Sequence, residues 1–325
     1  MSTATATPTP PRVSRMRMAN LVVGPKKKPR RILVSGVEGI GKSTFAASAP
    51  SPIFLGAEDG TDQLDVSRFP TPHTLDDVFD ALMELIDSKH SYQTLVIDTV
   101  DWLEPLVWEH VCKRDSNKGN PLQTIEDYGY GKGYQVALDE WRRLLKGLED
   151  VRAQKGMEVI LLAHTHLKTF KNPEGPDFDR YELKLNLKAG GVLKEWCDVV
   201  LFAAFETYAQ KENPGAKLSK AKGFSTGARL IHSQRTAAYD AKSRFSLPES
   251  MPLSWEAFDA ACKSNQVATP EELSAAIAEK APQLGAELEK QVLAKAASVA
   301  TDAQKLAQLL NWTISKLALV AGKQA

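Results

Sequence analysis

Gly36-Val37-Glu38-Gly39-Ile40-Gly41-Lys42-Ser43, followed by Thr44, fits Gly-x-x-x-x-Gly-Lys-Ser, the pattern of a phosphate-binding loop. Ile32-Leu33-Val34-Ser35 before it is short, apolar and β-leaning, and Thr44-Phe45-Ala46-Ala47-Ser48-Ala49 after it can start a helix. That strand–loop–helix context is what the motif requires. Glycines let successive backbone N–H groups turn toward phosphate oxygens, and a helix N-terminus adds its dipole. Lys42 is expected to reach the β- and γ-phosphates, and the Ser43 hydroxyl to bind Mg²⁺.

The chain around the loop has 325 residues, enough for about two domains. Its apolar share of 43% and charged share of 25% are ordinary for a soluble globular protein. The net charge of +1 says little, but its distribution says more. No acidic residue precedes Glu38, whereas Arg12, Arg15, Arg17, Lys26, Lys27, Lys28, Arg30 and Arg31 are basic. Residues 1–28, rich in Thr, Pro and Ala, are expected to be a disordered basic tail. Pro25–Arg31 reads as a solvated leader or a loose nucleic-acid contact in preference to a nuclear address. Cys112, Cys197 and Cys262 are far apart and match no metal spacing, so buried thiols in a reducing compartment are expected. No apolar run approaches the ~18 residues of a membrane span, and the N-terminus has no apolar secretion core. A cytoplasmic protein with no membrane partner is the expectation.

Further strands end in residues that carry chemistry. Pro52–Gly56 runs into Ala57-Glu58-Asp59-Gly60, which places a carboxylate at a strand's C-terminal edge, where α/β folds hold ligands. Glu58 is the candidate to orient or deprotonate an attacking water; an acidic turn is the competing reading. Thr94-Leu95-Val96-Ile97-Asp98 is an apolar strand delivering Asp98 toward a metal's water shell, the Walker B pattern. Asp101 is read as the cap of a helix over 101–114. Val159–Ala163 ends at His164-Thr165-His166, where His164 could sense a γ-phosphate. The two histidines fit no zinc spacing. Lys242-Ser243-Arg244 sets two cations on one face of an extended chain, suited to one phosphate or to solvent.

Between these lie helices at Thr74–Ile86 and Gln135–Gln154, a hairpin over Leu167–Leu187, and strands at 198–202, 228–232 and 237–240. Tyr128-Gly129-Tyr130-Gly131-Lys132-Gly133-Tyr134, with Lys113, Arg114 and Lys118 nearby, suits stacking on bases or packing of the tyrosines on the core, with neither preferred. The hairpin adds Lys168, Lys171, Arg180, Lys184 and Lys188. The expected organisation is a tail over 1–28, a core over 29–250, and a helical region over 251–325. That region opens with Thr269-Pro270-Glu271-Glu272, a capping box, and continues with a helix from Thr301 lined by Leu306, Leu309, Leu310, Leu317 and Val320.

Taken together, the phosphate loop, Ala57-Glu58, Asp98, His164 and Lys242-x-Arg244 before Leu247-Pro248 resemble, in order, the RecA-like ATPases over roughly residues 30–250. The resemblance is greatest to their compact phage relatives, the Sak-group single-strand-annealing ATPases, which the Tyr130–Tyr134 stretch also resembles. The resemblance implies an α/β RecA-like P-loop NTPase core with a mostly parallel sheet flanked by helices, plus a small C-terminal helical appendage. It implies ATP and Mg²⁺ as cofactors, with Gly36, Val37, Glu38, Gly39, Ile40, Gly41, Lys42, Ser43 and Thr44 holding the nucleotide and Ser43 and Asp98 the metal. Glu58 would be the catalytic carboxylate. His164 stands where RecA proteins carry a glutamine that links the γ-phosphate to a DNA-binding loop. Lys242 and Arg244 would act in trans on a neighbour's nucleotide, like an arginine finger. Residues 113–133 and 165–190 correspond in position to the DNA-facing loops. The function implied is ATP-dependent binding of single-stranded DNA in phage-type recombination or annealing, with self-association into a filament or ring and a single-strand-binding protein as a further partner. A motor or helicase loader, and a nucleotide-gated interaction module, are the alternatives.

Overall fold

The structure, a computed structural model, describes residues 17–21, 28–58, 60–117, 119–211, 221–264, 270–302, 305–306, 308–310, 312–313 and 316. Most of the basic tail, Asp59, Lys118, the Thr269 cap, and Leu317 and Val320 of the last expected helix lie outside these residues.

In chain order the elements begin with β1 (Arg31–Gly36), α1 (Lys42–Ala47), β2 (Pro52–Gly56), β3 (Ser67–Arg68), α2 (Leu75–Asp87), β4 (Thr94–Asp98) and α3 (Val100–Arg114). A short ladder of β5 (Ser116–Asn117) and β6 (Asn120–Pro121) leads to α4 (Lys132–Lys155), β7 (Glu158–Phe170), β8 (Phe178–Leu183) and α5 (Leu187–Trp196). The remainder is β9 (Val199–Lys211), β10 (Ala221–His232), β11 (Lys242–Ser243), β12 (Ser250–Pro252), α6 (Trp255–Ser264), α7 (Pro270–Lys280) and α8 (Ala286–Ser298).

The main sheet runs β12-β10-β9-β1-β7-β4-β2-β3. From β9 to β3 it is parallel, and β10 and β12 are antiparallel additions. The strands in it are near-continuous apolar runs because helices cover both faces. Leu33, Leu95, Ile97, Val159 and Leu161 face α2, α3, α4 and α5. Ile32, Val34, Val96, Ile160 and Leu162 face α1 and α6. Helix α2 starts at a reciprocal cap, Asp77 N–H to Thr74 Oγ1 at 3.2 Å and Thr74 N–H to Asp77 Oδ2 at 2.8 Å. Its Val78, Leu82 and Leu85, and Trp141, Leu145, Leu148 and Val151 of α4, are buried as their spacing predicts. Among the described residues no helix is long and apolar enough to cross a membrane. Cys112, Cys197 and Cys262 are buried free thiols, and burial pushes Cys197 up to about 12.

Several expectations need correction. Strand β7 does not stop at His164. It continues as the first strand of a hairpin with β8, so one strand is parallel to β1 up to His164 and antiparallel to β8 from Thr165. Residues 237–240 form no strand, and their backbone joins the sheet only by an isolated bridge, Tyr181 to Tyr239. Tyr239 is held by its ring instead, stacked 4.4 Å from Phe202. A core ending at 250 cuts through β12 and detaches α6, yet Trp255, Phe258 and Cys262 are buried against Phe45 and Ile32. Arg30 rivets that helix down. It bonds Glu158 at 2.6 and 3.0 Å and Asp259 at 2.8 Å, and its guanidinium lies over Trp255 and Phe258. Arg31 likewise bonds Asp198 at 2.6 Å. These two cations of the expected basic leader are structural ion pairs. Beyond α6, Leu273, Ile277, Ala281, Leu284, Val292, Ala296 and Leu306 make a separate small cluster from α7, α8, the turn between them and the stretch after α8.

Candidate nucleotide site

The loop leaves β1 at Gly36, and its glycines are set by geometry. A Cβ on Gly36 would lie 2.6 Å from the Ala203 carbonyl oxygen of β9, and Gly41 has φ +108°, where a side chain is strained. Ile40 is fully buried and pins the loop to the core, while Glu38 is exposed, 3.8 Å from Lys184. Thr44 is exposed on the first turn of α1. Lys42 is only 5% exposed, with Nζ donating to the Gly36 and Val37 carbonyls at 3.2 and 3.0 Å. Burial pulls its pKa down, against the charges of Asp98, Asp101, Glu38 and Glu58.

Carboxylates gather beside it because β4 and β2 end, and β7 passes, at the same edge as the end of β1. Asp98, 4% exposed, accepts a 2.7 Å bond from Ser43 Oγ. Burial pushes its carboxyl up, opposed by that bond and by Lys42. A hydroxyl and a carboxylate side by side are hard oxygen donors, the set that suits Mg²⁺ with phosphate and water completing its shell. Gly56 pairs with Asp98 and Ala57 N–H donates to the Asp98 carbonyl at 3.0 Å, which brings half-exposed Glu58 to the same edge. His164 lies opposite Gly36 across the β1–β7 ladder.

Asp101 is the residue whose role differs most from expectation. The cap position of α3 is Thr99, and Asp101 spends both oxygens on His164: Oδ1 accepts the backbone N–H and Oδ2 pairs with Nδ1, each at 2.9 Å. Burial works against its charge, but these bonds and the His164 ring outweigh it and hold the carboxyl below its usual range. One turn on, Glu104 accepts the Asn186 N–H on both oxygens at 3.0 Å, at the start of α5. The sign in the sequence was the i, i+3 spacing of Asp98, Asp101 and Glu104 at a strand–helix junction.

Lys242 and Arg244 stand elsewhere. Strand β11 pairs with Val199 and Val200 at the start of β9, whereas Gly36 lies beside Ala203. Lys242 Nζ donates to the Lys194 carbonyl at 2.6 Å at the end of α5, and Arg244 bonds Asp198 at 3.0 Å. Both are at the sheet edge opposite the loop.

The expected DNA-facing segments are more tied down than their composition implies. Tyr128 OH bonds Asp115 at 2.8 Å, and Tyr134 packs edge-on against Trp108 and bonds Glu126. Arg114 pairs with Asp115 and Glu140, and Lys113 with Glu109. Tyr130 alone of these tyrosines is fully exposed. Arg180 is buried on Asp240 at 2.7 Å, and Lys171 pairs with Asp177. Lys188 bonds Gln135 at 3.0 Å, so the first turns of α5 and α4, and with them the two segments, are neighbours.

A family model described as an AAA domain matches residues 28–245. No curated protein matches the chain. Among solved structures, a RadB recombinase is similar at 14% identity and a TM-score of 0.35, over 63% of this chain and 80% of that one.

Proposed function

The chain belongs to the AAA-domain family, a family of P-loop NTPases, and from that premise we propose that it is a Mg²⁺-dependent ATPase that binds single-stranded DNA in phage-type recombination or annealing. One observation carries the reading: β7 passes His164 through the nucleotide site and continues unbroken into the β7–β8 hairpin, whose Lys168 is exposed. A change at the nucleotide has a rigid path to the surface that would meet DNA.

The roles follow from the atoms. Lys42 exchanges the Gly36 and Val37 carbonyls for β- and γ-phosphate oxygens. Ser43 Oγ and Asp98 would hold Mg²⁺, which supplies charge neutralisation on the phosphates when bound. Glu58 takes or orients the proton of the attacking water. His164 commits Nδ1–H to Asp101, so a neutral ring presents Nε2 as an acceptor only, and a bond to a phosphate oxygen needs a proton on that nitrogen. Lys242 and Arg244 cannot reach their own chain's phosphates. Their place at the opposite edge suits a head-to-tail assembly in which each acts on a neighbour after leaving its present partners. Residues 29–262 make the catalytic body and the cluster beyond α6 an appendage.

The test is ATP hydrolysis with and without single-stranded DNA at low salt, where backbone contacts are strongest. Stimulation by DNA is expected. Hydrolysis indifferent to DNA, with no DNA binding in any nucleotide state, overturns the DNA part and leaves an NTPase.

A further inference from the structure

The strand order decides which way a nucleotide lies in this site. Asp98, Asp101 and His164 on β4, α3 and β7, and Glu58 just past the end of β2, are the groups suited to the terminal phosphate, and all stand to one side of β1. On the other side the sheet continues into β9, β10 and β12. β1 stops at Gly36, opposite Ala203, but β9 runs on to Lys211 with β10 beside it. The pair rises past the sheet edge as a ribbon next to the phosphate loop.

That ribbon carries a bulge. The β9–β10 register shifts between Ser225 and Arg229, Gly227 has φ +79°, and Thr226 Oγ1 bonds Glu206 at 2.6 Å. Bulges re-aim the side chains beside them. Arg229 follows at once, opposite Phe205, on the face shared by Ala203 and Ile231, which is the face of α1. Its Nη1 lies 3.0 Å from the point a Cβ on Gly41 would occupy, and a Leu253 methyl lies 3.6 Å from it. Its guanidinium sits over the Phe205 ring at 5.7 Å. Arg30, Arg31, Arg114 and Arg180 each bond a carboxylate, whereas Arg229 makes no ion pair among the described residues. A cation on an aromatic face beside a phosphate loop is placed for a ligand oxygen, and a planar guanidinium matches phosphate geometry.

We propose that Arg229 is a positioning residue for the nucleoside end of the nucleotide: it meets the α- and β-phosphates as they leave the loop, and Phe205 and Leu253 wall the sugar and base. The assignment rests on the nucleotide-site reading above and names a part of that site on the side away from the acids.

The experiment measures binding of MgADP and MgATP by calorimetry, and kcat and KM for ATP, on the full chain as wild type, Arg229→Ala and Arg229→Lys. Arg229 is exposed, so its removal leaves folding intact. Loss of a charge-assisted contact common to both nucleotides weakens ADP and ATP alike, by about ten- to a hundredfold, with kcat at saturation within about twofold and partial recovery by lysine. Unchanged affinities overturn the proposal. So does a loss confined to ATP or to kcat, which would put Arg229 at the terminal phosphate. A wild-type chain that binds neither nucleotide overturns the nucleotide-site reading itself, and this assignment with it.

Discussion

Glu104→Gln isolates one buried carboxyl that sits between the end of β4 and the start of α5. Glu104 is 5% exposed on α3, and both its oxygens accept the single Asn186 N–H. Burial, aided by the charge of Asp101 and only partly opposed by that N–H, pushes its carboxyl from 4.5 up to about 7. A raised acid favours the fold while it keeps its proton. Between pH 4.5 and 7 the native state holds a proton that the unfolded chain has released. Its contribution is therefore complete below pH 4.5, drains away as the pH rises through 7, and is gone above. At 1.36 kcal/mol per pKa unit the contribution is ~3 kcal/mol. Glutamine keeps the shape and an acceptor for Asn186 but cannot ionise. Its NH₂ needs a new partner, a cost equal at every pH that leaves the difference between pH values intact. Urea unfolding of both proteins at pH 5 and pH 8 should therefore show the wild type losing about 2 to 3 kcal/mol more than the variant over that range. Parallel losses in the two proteins would mean that Glu104 is already ionised in the native state near pH 5, and the account of its burial would be wrong.

Glu58→Gln should bind ATP normally and lose at least about a hundredfold in kcat, since only the water-activating carboxylate is removed; unchanged turnover would favour a nucleotide-gated module. Asp101→Asn keeps a hydrogen-bonding group opposite Nδ1 but can turn its NH₂ toward that nitrogen, so the tautomer and orientation of the ring are no longer fixed. A fall of about tenfold or more in kcat and weaker coupling of ATP to DNA binding are expected, read by DNA titrations with and without ATP. Arg244→Ala subunits keep their loop, and Lys42→Ala subunits keep their cations; if Lys242 and Arg244 serve a neighbour, mixing the two inactive variants restores hydrolysis, and a mixture no more active than its parts rules the trans role out.

Which features could be read from the chain alone follows from how far apart their partners lie. The loop, the buried β4 ending in Asp98 and the apolar start of β7 are local: each is a run of a few residues whose composition and terminal side chain carry the meaning. Glu58 and His164 could be proposed for the same reason, as polar residues at the ends of apolar strands. Arg30 and Arg31 could not be placed correctly, because Glu158 and Asp198 lie 128 and 167 residues away. In sequence, such arginines are indistinguishable from the solvated lysines before them. Helix α6 was misassigned on the same ground: what draws it to the core is Arg30 between its rings, a contact across 229 residues to Asp259. The Asp101–His164 pair, separated by 63 residues, shows what such distance means for chemistry. A strand-end histidine in isolation has a free choice of tautomer and rotamer. Clamped at its backbone N–H and at Nδ1 by one buried carboxylate, it has neither, and only Nε2 of the ring is left for a further partner. The next residue, Thr165, already belongs to the hairpin ladder, and the Lys184 N–H on the His164 carbonyl at 2.9 Å ties the same residue to the segment that leads to α5. The three bonds that fix His164 are contacts of this long-range kind, which propensity and periodicity have no means to register.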